Sequence, residues 1–68
     1  MNDEAFQQSV RKLLKTVGVT TQQEIEKAVR HALAEGHLKG HETLPARVTV
    51  EVDGLSLALD FEGDITLE

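Results

Sequence analysis

The chain has 68 residues, of which 40% are hydrophobic and 28% charged, with a formal net charge of -5 and a pI of about 5.0. This length allows one small domain, and the absence of cysteine excludes disulfides and thiolate metal sites. Domains this small have narrow stability margins, which oligomerisation commonly widens, so the composition favours a self-associating surface.

The first predicted element is an amphipathic helix over about residues 3–17. Asn2 or Asp3 is suited to cap its N-terminus, and apolar residues follow at helical spacing on one face. These apolar residues are Phe6, Val10, Leu13, Leu14 and Val17. Gly18 comes just after the last of them and predicts a left-handed C-terminal cap that ends the helix.

A second helix is predicted over about residues 21–35. Thr20 or Thr21 can cap its N-terminus, and Gly36 is expected to end it. Its apolar stripe consists of Ile25, Ala28, Val29, Ala32 and Leu33. Because so few residues join the two helices, we expect them to pack as a hairpin or as a near-perpendicular pair.

Two arms with alternating apolar residues predict a β-hairpin with strands at about 46–52 and 55–61. An Asp-Gly pair separates the arms and is typical of a two-residue type I′ turn, which sets Val52 opposite Leu55. With this register the apolar residues of both arms lie on one face of the hairpin, and the polar residues lie on the other.

The remaining segments complete the predicted fold. Pro45 favours an extended entry into the first strand. Residues 62–64 predict a second turn, and residues 65–67 predict a short third strand. The predicted architecture is a single α+β domain over residues 1–68, in which two N-terminal helices pack on one face of a three-stranded antiparallel β-meander (ααβββ).

Three histidines, His31, His37 and His41, lie close in sequence to Glu35 and Glu42, and zinc accepts imidazole and carboxylate ligands. Glycines in this segment disfavour the helix that would bring two of the histidines to one face. No spacing among them matches a recognised zinc motif. We therefore expect solvated histidines, and no metal or cofactor.

Nucleic-acid binding and catalysis are two further function classes. The segment from Leu13 to Leu33 is comparable with a helix-turn-helix, which makes nucleic-acid binding the alternative function. A nucleic-acid footprint is basic, however, whereas this chain has a pI of about 5.0. No serine has a neighbouring histidine and acid that would activate it as a nucleophile, so we expect no enzyme.

Protein association is the remaining class. Residues 1–41 hold five acidic and six basic residues, whereas residues 42–68 hold seven acidic residues and one basic residue. An open sheet edge in the second segment can accept a strand from a second copy or from a partner. We predict a non-catalytic interaction or self-association module that binds an unidentified protein or forms a homodimer. The predicted interaction surface consists of Arg11, Lys12 and Lys15 near the end of the first helix, and Arg47 and Glu51 on the edge strand.

Four segments, at residues 1–6, 11–20, 24–29 and 42–46, resemble a family of short, mainly proteobacterial proteins classed as a domain of unknown function. The Lys-Thr-Val-Gly-Val-Thr and Glu-Thr-Leu-Pro-Ala strings within them are the most specific part of the resemblance. The resemblance implies a small cytosolic bacterial protein. It does not imply an activity, a cofactor or any site residue. Without a signal peptide pattern or a bilayer-length apolar run, we expect a cytoplasmic location and no membrane partner.

Overall fold

A computed structural model describes all 68 residues and contains one helix and two strands. The helix α1 spans Asp3–Ala34, and the strands β1 and β2 span Thr43–Val52 and Leu57–Thr66. The chain divides into two units, Met1–His37 with the helix and Leu38–Glu68 with the strands. The predicted α+β class is confirmed, but the predicted ααβββ order is wrong.

Local hydrogen bonds define both ends of α1. At the N-terminus the Asn2 side chain accepts a hydrogen bond from the Ala5 N–H at 3.0 Å, which confirms the predicted cap. At the C-terminus Gly36 has a φ of 79°, and its N–H donates to the Leu33 carbonyl at 3.1 Å. The His37 N–H donates to the Ala32 carbonyl at 2.9 Å, which completes a Schellman motif. The predicted end at Gly36 is therefore confirmed.

The predicted break at Gly18 is wrong, because α1 runs through this residue without interruption. Gly18 does not have the positive φ that a left-handed cap requires. The two predicted apolar stripes are in phase: Leu14 and Ile25, for example, are separated by about three helical turns. A glycine inside a helix costs only about 1 kcal/mol relative to alanine, so one continuous helix tolerates it.

The strands form a two-stranded antiparallel hairpin with a four-residue loop. Val52 pairs with Leu57, two residues beyond the predicted partner Leu55. A type I′ turn needs a positive φ at both Asp53 and Gly54, whereas only Gly54 of this pair has one, at 85°. Ser56 also has a positive φ, 52°, and brings the chain into β2. Because the shift is an even number of residues, the predicted faces are retained.

The predicted turn at residues 62–64 and the separate third strand are also wrong. β1 begins at Thr43, earlier than predicted, and its three extra residues pair with Asp64, Ile65 and Thr66, while Ala46 pairs with Gly63. A longer first strand thus supplies backbone partners that keep the chain extended where a turn was expected. The residues predicted for a third strand continue β2 instead, and the sheet has two strands rather than three.

Replacing Gly18 with alanine tests whether the helix is continuous. An added Cβ meets no atom within 4 Å, so we expect Gly18→Ala to stabilise the protein by about 0.5–1 kcal/mol. The matched control is Gly36→Ala, where the Cβ also has open space but the φ of 79° disfavours alanine by about 1–2 kcal/mol. Urea unfolding at one fixed protein concentration measures both changes. Destabilisation by Gly18→Ala would contradict a continuous helix.

Candidate association surface

One face of the hairpin is apolar along its whole length, because side chains alternate between the faces of paired strands. This apolar face consists of Leu44, Ala46, Val48, Val50 and Val52 from β1 and Leu57, Leu59, Phe61 and Ile65 from β2. Phe61 is 55% exposed, and its cross-strand partner Val48 is 45% exposed. The hairpin therefore presents a continuous hydrophobic surface rather than scattered apolar residues.

The helix carries a second hydrophobic surface. This apolar stripe consists of Phe6, Val10, Leu13, Leu14, Val17, Ile25, Ala28, Val29, Ala32 and Leu33. Leu13 is 61% exposed and Leu14 is 53% exposed. No helix in the chain combines the length and the apolar character that crossing a membrane requires.

No side chain of the chain is buried, although 40% of the residues are hydrophobic. Both units therefore leave apolar side chains in contact with water.

The opposite face of the hairpin is polar and contains both predicted edge-strand residues, Arg47 and Glu51. The Arg47 guanidinium lies 3.3 Å from a carboxylate oxygen of Glu62 on the neighbouring strand. The Thr49 hydroxyl donates a hydrogen bond to Asp60 at 2.7 Å. These cross-strand contacts stabilise the register of the hairpin from the solvent side.

The predicted basic residues Arg11, Lys12 and Lys15 lie within α1, far from either end, and all three are exposed. Their predicted position at a helix C-terminus is wrong because the helix continues to Ala34. They belong to a different unit from Arg47 and Glu51. The continuous helix also removes the turn on which the helix-turn-helix interpretation depended.

The three histidines do not form a cluster. His31 lies near the end of α1, where its Nε2 atom is 4.0 Å from a carboxylate oxygen of Glu35. His37 follows the helix cap, and His41 lies in the connector before β1. No group of three or more histidine, aspartate and glutamate side chains is arranged to hold a metal ion.

The sequence interpretation missed the structural role of Glu42, which organises the connector before β1. Its carboxylate accepts hydrogen bonds from the backbone N–H groups of Lys39 at 2.8 and 3.1 Å, Gly40 at 2.9 Å and His41 at 3.1 Å. Gly40 permits this turn with a φ of 104°. An acidic residue shortly after a glycine between two elements is the signal that could have identified it.

These hydrogen bonds, first of all that from Lys39, lower the pKa of Glu42 from 4.5 to about 2. Since the folded pKa is depressed, the ionised carboxylate stabilises the folded state above pH 4.5, and this contribution is lost as the pH falls toward 2. We expect amide NMR shifts of Lys39, Gly40 and His41 to titrate together near pH 2. The stability difference between the native protein and Glu42→Gln should shrink over the same range. A difference independent of pH would contradict this role.

Comparison with known proteins gives a family but no activity. The model of a family of unknown function, DUF6494, matches residues 1–68. No curated protein and no solved structure matches the chain. Because the match extends over the whole sequence, as the resemblance implied, the chain belongs to the DUF6494 family.

Proposed function

We propose that this protein is a non-catalytic self-association module whose copies bury the apolar face of the hairpin and the apolar stripe of the helix. The main support for this proposal is that no side chain is buried, although 40% of the residues are hydrophobic. Exposed hydrophobic surface of this extent typically marks an interaction site. The activity is therefore assigned to a surface rather than to a catalytic group.

The hairpin supplies the energetic argument. An isolated two-stranded hairpin is at best marginally stable in water, because it cannot bury enough apolar surface to offset its loss of conformational entropy. Leu59 and Phe61 are 45% and 55% exposed, so about half of the surface of these two side chains is still in contact with water. Covering this face with a second copy removes the remaining apolar surface from water, and this burial stabilises the fold.

A second copy of the chain is the occupant that we propose. The apolar face and the apolar stripe are the same in every copy, so a second copy offers a matching hydrophobic surface. Symmetric pairing also brings identical apolar surfaces together and closes the assembly. If a different protein covers these surfaces instead, the isolated chain will remain monomeric.

Sedimentation velocity over about 1–500 μM tests self-association directly. We expect a species of at least twice the chain mass of 7.5 kDa, with a monomer fraction that increases on dilution. A 7.5 kDa species alone at every concentration would contradict the proposal.

Substitutions at neighbouring positions of β2 identify the buried face. Leu59→Asn places a polar group on the apolar face, and Asp60→Asn makes the matched change on the polar face. We expect Leu59→Asn to weaken the dimer by about 30-fold, from roughly 1 kcal/mol of lost burial in each copy. Asp60→Asn should change the dissociation constant by less than about threefold. Equal effects of the two changes would exclude the apolar face as the interface.

A further inference from the structure

We propose that two copies join through their β1 strands, which pair antiparallel about a two-fold axis at Thr49 and form a four-stranded sheet. This inference rests on the proposed self-association. It adds a contact between strand edges, which sets the register of the two copies but does not itself cover the apolar faces. It is derived from the backbone hydrogen-bond pattern of the hairpin and from the charges on its two edges.

The hydrogen-bond pattern between β1 and β2 determines which backbone N–H and C=O groups are directed to the outer edge of β1. The Leu67 N–H donates to the Glu42 carbonyl at 3.0 Å, so these residues form a hydrogen-bonded pair that continues the register of the hairpin. Since such pairs alternate along an antiparallel ladder, the even-numbered residues of β1 bond to β2. The backbone groups of Arg47, Thr49 and Glu51 are consequently directed toward the outer edge.

Pro45 lies in the same outward series. A proline has no N–H to donate, and within sheets it is confined to edges, strand starts and bulges. Here its position leaves every bond between β1 and β2 intact and interrupts the outer row of donors between Thr43 and Arg47, so the uninterrupted row begins at Arg47. The segment from Arg47 to Glu51 is therefore the part of the edge that can accept another strand.

The charges select one register for two β1 strands. With Thr49 opposite Thr49 of the second copy, Arg47 lies opposite Glu51 of the second copy, and the symmetric pair repeats this contact. A slide of two residues places Thr49 opposite one of the charged residues. A slide of four residues places two arginines or two glutamates opposite each other, which is destabilising. Only the proposed register pairs opposite charges twice.

The outer edge of β2 has the opposite character. Its outward residues include Asp60, Glu62 and Asp64, so antiparallel pairing of two β2 strands about Glu62 or its neighbours brings acid against acid. Pairing β1 of one copy with β2 of another is head-to-tail, and such contacts do not close into a dimer by two-fold symmetry. The β1 edge is thus the one suited to a closed pair.

This pairing also keeps the hydrophobic surfaces together. In the proposed register Val48 lies opposite Val50 of the second copy, on the same side of the sheet. The two apolar faces therefore become a single surface across four strands. The carboxylates and Arg47 remain together on the other side, exposed to solvent.

A charge-reversal experiment tests this register. Arg47→Glu alone places glutamates opposite Glu51, and Glu51→Arg alone places arginines opposite Arg47, so we expect each variant to weaken its own dimer at least about tenfold. An equimolar mixture of the two variants pairs glutamate with arginine at both contacts. We expect the mixture to form a heterodimer with about the native dissociation constant. Sedimentation with one variant fluorescently labelled measures all three.

A matched control separates this contact from the pairing within one chain. Arg47 also lies 3.3 Å from Glu62 of its own strand pair, and Glu62→Gln removes that charge pair without changing the proposed interface. We expect Glu62→Gln to leave the dissociation constant within about threefold of native. A loss of dimer as large as that of Arg47→Glu would assign the effect to the hairpin itself and overturn the inference.

Amide hydrogen exchange in the native protein provides an independent readout. At concentrations where the dimer forms, the N–H groups of Thr49 and Glu51 should become protected, whereas those of Asp60 and Glu62 should exchange rapidly. A dimer with unprotected β1 amides and no heterodimer rescue would overturn the β1 pairing and leave self-association standing. A monomer at every concentration would overturn both proposals.

Discussion

The antiparallel register of β1 and β2 determines the composition of both faces and both edges of the hairpin. It places Val48 opposite Phe61 on the apolar face and Arg47 opposite Glu62 on the polar face. The same register decides which backbone groups bond within the hairpin and which are directed to the edges. A change of one residue in this pairing would turn the apolar side chains of one strand to the polar face and end the separation of the two faces.

The hydrophobic surface of each unit explains why association is the function that we assign. A chain with 40% hydrophobic residues and no buried side chain leaves the main favourable term of folding largely unused. In a chain without cysteine no disulfide can replace this term. In the proposed dimer, association removes apolar surface from water, and the proposed β1 contact adds direction through backbone hydrogen bonds and paired charges.

Charged groups have different structural roles in the connector and along the strands of the hairpin. At the connector, Glu42 is held by the backbone N–H groups of Lys39, Gly40 and His41, which lowers its pKa to about 2. Along the strands, Arg47 bridges to Glu62 across the exposed polar face, where an ion pair contributes little to stability. Glu42 therefore orders the chain before β1, and Arg47 is better suited to specificity than to stability.

Local sequence patterns were sufficient to predict the features that arise between near neighbours. The caps at Asn2 and Gly36 were predictable because a side chain or a glycine there satisfies local backbone groups. The apolar face was also predictable, since alternation sets it and a loop of two or four residues leaves it unchanged. The structure shows that α1 continues through Gly18, and the pairing with β1 sets how far β2 extends past residues 62–64. Glycine permits either outcome at Gly18, and the length of β2 depends on partners in β1 that lie far away in sequence, so neither could be predicted from local patterns.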